Sequence, residues 1–205
     1  MKRAPGAARG VVRLMALGFV LFGSAAWAAP GDTTRVSIAS DGTQANGSSS
    51  EVNGLPIAIS ADGRHAAFGS YASNLVAGDT NGFRDVFVHD RQTGETTRVS
   101  VASDGTQANS DASDPVISAD GQIVAFWSQA TNLVAGDTNG YADVFVHDRS
   151  TGETTRVSVA SGGGEANSSS GSMSLSGSGR YIAFSTSASN LVSGDSNNTT
   201  DVFVH

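Results

Sequence analysis

The sequence predicts an all-β protein assembled from tandem copies of one four-stranded antiparallel unit. Three observations carry this. Several motifs recur at a fixed spacing of 58 residues. No segment shows the apolar period of about 3.6 residues that marks a helix. The 205 residues include 25 Gly, only 15% charged residues and abundant Ser, Thr, Asn and Asp, which suits short strands joined by many turns.

The first 28 residues read as a targeting segment. Lys2, Arg3, Arg9 and Arg13 form a positive start, an apolar run follows over Leu14 to Phe22, and Ala26-Trp27-Ala28 supplies the small-x-small pattern that a signal peptidase cuts. An N-terminal membrane anchor is the competing reading, but the apolar run falls short of the roughly 18 residues that span a bilayer. Residues 1–28 are therefore expected to be a signal peptide and residues 29–205 the repeat domain, periplasmic or secreted, with no membrane span after cleavage. Removing those four basic residues from twelve leaves eight, all Arg, against 19 acidic ones, a formal charge of −11. Such a surface disfavours nucleic acid and anionic membranes and suits cations. The exported chain has no Cys, so no disulfide supports the fold.

The repeat sets the organisation. Asn-Leu-Val begins at Asn74, Asn132 and Asn190, and Asp-Val-Phe-Val-His at Asp85, Asp143 and Asp201. Ser60, Ser118 and Ser176 open one turn in each copy. Thr-Thr-Arg-Val-Ser begins at Thr33, Thr96 and Thr154, with spacings of 63 and 58, so the first copy carries five extra residues between Asn46 and Ser60. The units run over about 55–103, 115–161 and 172–205, preceded by an outer strand at 33–40.

Within the second unit, Pro115–Ser118 is a short strand that ends in Ser-Ala-Asp-Gly, a hairpin turn with Asp120-Gly121 in the tight positions. Gln122–Gln129 is rich in β-formers, Ala130–Ala142 is a long polar loop, and Asp143–Asp148 is a third strand. Arg149–Glu153 turns the chain into a fourth strand, Thr154–Ala160. A sheet with one wet face would alternate cleanly. Val144-Phe145-Val146 and Val124-Ala125-Phe126-Trp127 do not, so both faces of the middle strands must be covered. Propeller blades, each packed between two others, meet that requirement. Phe68, Phe126 and Phe184 recur at one strand position and are assigned to the core. Trp127, matched by Gly69 and Ser185, is a gap-filler of the second unit or the wall of a pocket.

The runs Ser-Ala-Asp-Gly-x-x-x-Ala-Phe, Asp-Val-Phe-Val-His-Asp and Thr-Gly-Glu-Thr-Thr-Arg resemble the PD40 repeats of TolB-like, WD40-like β-propellers. The third copy departs at its turn, Ser176-Gly177-Ser178-Gly179. The resemblance implies a propeller of four-stranded blades and no single activity.

Twelve strands are expected, enough for three blades if the first outer strand completes the last one. Rings usually close with about 4–8 blades. Either the sequence is part of a longer, partial propeller, the favoured reading, or two chains combine as a homodimer with six blades. The tight turns share one end of each blade and the long loops the other. The long-loop face is the expected partner surface, because binding residues favour longer loops on a rigid scaffold.

That face carries the sharpest chemical motif, D-x-N-G-x-x-D. Its oxygen donors are Asp79, Asn81 and Asp85 in the first copy, Asp137, Asn139 and Asp143 in the second, and Asp195, Asn197 and Asp201 in the third, where Asn198 replaces Gly. Hard cations take several oxygen ligands on a tight loop, so these are candidate Ca²⁺ ligands, though carbonyls or water would have to complete the shell. Equally, Asp and Asn cap their own backbone in a turn and Gly takes positive φ. His89, His147 and His205 recur with the units and read as structural, and His65 is unmatched and expected to be partly buried. Arg98 and Arg156 read as strand-edge ion pairs with Glu95 and Glu153. No catalytic motif is present, and no cofactor is required. The leading expectation is an exported, non-catalytic module that binds or scaffolds another exported protein or a surface ligand. The alternatives are a Ca²⁺-binding extracellular module and an accessory propeller of a larger hydrolase.

Overall fold

The computed structural model describes residues 32–50 and 57–205; the expected targeting segment, residues 1–28, and most of the extra residues of the first copy lie outside them. Three antiparallel sheets follow one another. The first holds β1 (Ala58–Ile59), β2 (His65–Ser70), β3 (Asp85–Asp90) and β4 (Thr96–Arg98). The second holds β5 (Ala112–Ile117), β6 (Ile123–Ser128), β7 (Asp143–Asp148) and β8 (Glu153–Arg156), and the third β9 (Ser170–Leu175), β10 (Ile182–Thr186) and β11 (Asp201–Val204). Each sheet keeps its strands in chain order with every pair antiparallel. None of the described residues is helical.

The Ser-Ala-Asp-Gly turns form as their chemistry dictates. Asp62 Oδ1 accepts the Ser60 hydroxyl at 2.6 Å and the Arg64 amide at 2.9 Å, and Ser60 Oγ accepts the His65 amide at 2.9 Å. Ser118 and Asp120 repeat this arrangement. In the third copy Ser176 Oγ still accepts the Tyr181 amide at 3.0 Å. The hairpin survives there because Gly179, at φ 71°, supplies the positive φ that the turn needs.

Facing residues register the sheets. Phe68 lies opposite Phe87 and Phe126 opposite Phe145, with ring centroids 6.1 and 5.9 Å apart. Every residue of β3 is buried, because its two faces meet different neighbours. Ala67, Val86 and Val88 of the first sheet pack on Val124, Phe126 and Phe145 of the second. Ala125 and Val144 of the second pack on Ile182 and Phe184 of the third. Full burial of such a side chain contributes about 1.5–3 kcal/mol, so these stacked interfaces hold the array together. The chain is thus a partial β-propeller of three blades, not closed into a ring.

Three details differ from the sequence expectation. β5 starts at Ala112 rather than Pro115, because a bulge at Asp114 (φ 56°) lets pairing begin earlier. Ser172 (φ 39°) does the same in β9. In the first blade the innermost strand is likewise interrupted: Ser49 pairs with Ser70 and Ala58 with Ala67, and the extra residues fall between these pairings. The fourth strand of the second blade stops at Arg156, and the chain then bends so that Val159 bridges Glu165. Finally, among the described residues eleven strands stand in the sheets rather than twelve. Residues 33–37 pair with no sheet among the described residues, yet they are placed as an outer strand would be. Thr96 Oγ1 donates to the Ile38 carbonyl at 2.6 Å and the Thr96 amide to Ser40 Oγ at 3.0 Å. Thr154 makes the same pair of bonds to Val101 and Ser103.

Candidate functional site

The long connections, residues 71–84, 129–142 and 187–200, join the second strand of each blade to the third. They meet the links between blades, which anchor them. Asn132 Nδ2 donates to the Gln107 carbonyl at 2.8 Å, and its Oδ1 accepts the Asn109 amide at 3.0 Å. Asn74 and Asn190 make the equivalent bonds to residues 44–46 and 165–167. The recurring Asn-Leu-Val motif is therefore a loop lock: Asn ties the loop to the link, and Leu75, Leu133 and Leu191 are buried beneath it.

Asp79, Asn81 and Asp85 converge as the motif predicts. Asn81 Nδ2 donates to Asp85 Oδ2 at 3.0 Å, and Asn81 Oδ1 accepts the Phe83 amide at 3.1 Å. Asp85 Oδ1 accepts the Ser100 hydroxyl at 2.5 Å. Arg98 Nη1 lies 3.2 Å from both Asp79 Oδ1 and Asp85 Oδ2. Gln107 Oε1 accepts from Arg98 at 3.0 Å and from the Thr80 amide at 3.1 Å.

In the second blade Asp137, Asn139 and Asp143 repeat the arrangement around Arg156, whose Nη1 is 2.9 Å from Asp137 and 3.3 Å from Asp143. Glu165 replaces Gln107 and adds a third carboxylate at 2.8 Å. The third copy shares only the local part. Asn197 Nδ2 donates to Asp201 at 3.0 Å and Asn197 Oδ1 accepts the Thr199 amide at 3.1 Å. Asn198 takes the left-handed φ of 54° in place of Gly. Among the described residues no arginine stands beside Asp195 and Asp201.

The reading of Arg98 and Arg156 as strand-edge pairs with Glu95 and Glu153 is corrected here. Both guanidinium side chains are about nine-tenths buried and face inward between the loop carboxylates. Strand register explains it: Arg98 lies opposite Phe87 in the sheet, two residues from Asp85, whereas Glu95 sits in the exposed turn.

The electrostatics follow from burial. Burial pushes the Asp79, Asp85 and Asp137 carboxyls above their usual range, against the pull of the arginines. Burial opposes the charge on Arg156, but the hydrogen bond that it donates to Glu165 and the Asp143 and Asp137 charges raise its pKa above the ordinary value. The hydroxyl and amide of Thr138 hold Glu165 down at about 2. In the first two blades the space between the carboxylates, where a bound cation would sit, contains the chain's own guanidinium. Among the described residues no group of three or more His, Cys, Asp or Glu side chains is arranged to hold a metal ion.

The histidines are positioned one blade at a time. His89 Nδ1 and His147 Nδ1 each lie 2.8 Å from the hydroxyl of Thr96 or Thr154, and burial lowers the pKa of both. His205 is exposed. His65 is buried, with Nε2 3.8 Å from Asp90. Asp90 itself is gripped by Arg64 through contacts of 2.6–3.1 Å, a pairing that sequence reasoning missed. Its only trace is that Arg64 and Asp90 flank partners in register, His65 opposite Asp90.

Two positions trade volume between blades. A Cβ added to Gly69 would stand 2.6 Å from Arg84 Nε, whose side chain is buried beside Tyr71. The second blade has Trp127 and Ala142 at these positions, and Trp127 Cδ1 packs 3.8 Å from the Cβ position of Gly171. The tryptophan is a half-buried contact to the next blade.

The architecture defines the class: a β-propeller with an Asp/Asn-rich loop face. No family model matches the chain, and no curated protein matches it. Among solved structures it is similar to TolB from Acinetobacter baumannii, at 21% identity and TM-score 0.44, over 74% of this chain and 30% of that one. It is also similar to a protein assigned as TolB in Agrobacterium tumefaciens, at 15% identity and TM-score 0.45, over 73% and 45%. A further similarity is to the tricorn protease, at 15% identity and TM-score 0.43, over 66% and 11%. The chain thus spans less than half the length of each.

Proposed function

We propose that the chain is an exported, non-catalytic propeller module that binds a protein or a surface ligand through its long-loop face. The observation that carries this reading is the exposure of aromatic side chains on loops that are otherwise locked. Tyr71, Phe83 and Tyr141 are 44%, 40% and 44% exposed, while Asn81, Asn139 and the loop-lock asparagines fix the backbone beneath them. Rigid aromatic side chains on a preorganised surface are favourable anchors for a partner. The loop carboxylates of the first two blades are engaged by Arg, Asn and Ser, an arrangement that suits a scaffold better than a pair of proton-transfer groups. The start of the sequence supports export.

The test compares capture of exported proteins by the immobilised chain and by a Phe83→Ser/Tyr141→Ser double variant. Saturable capture that falls about tenfold or more in the double variant, with its melting temperature unchanged, supports the reading. Equal capture by both, or no saturable capture by either, overturns it.

A further inference from the structure

The repeat is broken where the first blade meets the second at the tight-turn end. Successive turns there are joined by equivalent backbone bonds, from the Ala61 amide to the Ala119 carbonyl and from the Ala119 amide to the Gly177 carbonyl, at 2.9 and 2.8 Å. Beside each bond, the first residue of a blade's second strand packs on a glycine of the following turn. Between the second and third blades these are Ile123 and Gly179, and a Cβ on Gly179 would stand 2.6 Å from Ile123 Cγ1. Between the first and second they are His65 and Gly121, and a Cβ on Gly121 would collide with His65 Nδ1. An imidazole thus fills a place that a hydrocarbon fills one blade later.

His65 is 5% exposed, and its Nδ1 is buried without a hydrogen-bond partner. Nε2 faces Asp90 Oδ2 at 3.8 Å, too far for a hydrogen bond. The neighbouring carboxylate assigns the neutral ring's proton to Nε2, which leaves Nδ1 bare against Gly121. A second proton would go to Nδ1, where the new N–H finds no acceptor and the charge is held out of water. The surrounding charges are already engaged. On the first blade, Asp90 is held by Arg64, and Asp62 accepts the Ser60 hydroxyl and the Arg64 amide. On the second, Asp120 accepts the Ser118 hydroxyl and the Gln122 amide, and Arg149 Nη1 donates to the Gly121 carbonyl at 2.7 Å. Burial first and Arg149 next push the His65 pKa below its ordinary value, with Arg64 adding to them and Asp90 and Asp62 opposing.

We propose that this joint is an acid-sensitive hinge: a proton on His65 Nδ1 drives the ring off Gly121 and releases the bond of Ala61 to Ala119, while the joint built on Ile123 and Gly179 stays closed. A folded-state pKa below the unfolded 6.5 means that the joint keeps its full stability above 6.5 and loses it as the pH falls from there through the folded value. Phe83 and Tyr141 stand on the two blades that share the hinge, so acid changes the spacing of their loops. His89 and His147 are buried too, but each bonds a threonine of its own blade, and changes at His65 leave their titration in place.

Amide hydrogen exchange of the intact chain, read by NMR as protection factors at about pH 7.5 and about pH 5, tests the hinge. Protection of the Ala61 amide should fall at least about threefold in acid, while that of the Ala119 amide holds. His65→Ile copies the next joint and should remove the fall. His65→Gln, which stays neutral at both pH values, should remove it as well and serves where isoleucine disturbs folding. Unchanged protection at Ala61 in acid, an equal fall at Ala119, or a fall that persists in either folded variant would each overturn the proposal.

Discussion

Arg156→Met is the most informative single perturbation of the loop network. Methionine keeps much of the aliphatic stem and removes the charge, so packing loss is small. Asp137 and Asp143, whose side chains are 2% and 0% exposed, are then left without a cation. Removing one partner of a buried ion pair costs about 3–5 kcal/mol. For a chain of this size that corresponds to a fall in Tm of about 6–20 °C. Thermal melts followed by circular dichroism measure it. Adding Asp137→Asn to the variant removes one stranded charge and should restore part of the loss.

The pH dependence gives a second check on the same variant. Burial already raises the Asp137 pKa from 3.8 with Arg156 present, and losing the arginine raises it further. A folded-state pKa above the unfolded one means that the deficit is absent below 3.8 and develops as the pH rises through the folded value. The variant should therefore approach the wild type in acid and fall behind near neutrality. A deficit under ~1 kcal/mol at neutral pH, the range of exposed pairs, would refute the reasoning.

Glu165→Gln should flatten the acid limb of stability in urea titrations. The Glu165 pKa is lowered from 4.5 to about 2, so its contribution is complete above 4.5 and is lost as the pH falls from there toward 2. Gly69→Ala should destabilise by about 1–3 kcal/mol, because the added methyl meets the Arg84 guanidinium at 2.6 Å. The Gly69→Ala/Arg84→Ala double variant should be less destabilised than the sum of the singles, as a denaturant double-mutant cycle would show. Ca²⁺ added to the chelator-treated chain should leave Tm unchanged, because guanidinium groups already occupy the first two loops; a saturable rise in Tm would contradict that.

Much of the fold was legible because local and global signals agree in this chain. Asp-Gly at the tight turn, the unbroken apolar run Val144-Phe145-Val146 and the fixed repeat spacing each point to a blade with two covered faces. The loop motif was legible only in part. Asp79, Asn81 and Asp85 do converge, because they lie within seven consecutive residues. Their cation was missed, because Arg98 comes from a strand thirteen residues later and its partner depends on sheet register rather than on sequence distance. Glu95 stood nearer in sequence and was paired with it for that reason. The bulges at Asp114 and Ser172 were illegible too, since neither residue announces a positive φ and each is imposed by the pairing around it. Arg84 against Gly69 could have been found by asking what fills the space that Trp127 fills in the next copy.

The bonds of Thr96 to Ile38 and Ser40, and of Thr154 to Val101 and Ser103, have a genetic consequence. Successive copies are joined by the same atoms each time, as are the turns through Ala61 to Ala119 and Ala119 to Gly177 at 2.9 and 2.8 Å. An in-frame gain or loss of 58 codons, with the crossover at equivalent points after Ser60, would recreate backbone joints that already exist. Unequal recombination between such similar copies can therefore lengthen or shorten this gene while keeping those joints. The number of units becomes a heritable variable, free to change faster than the unit itself.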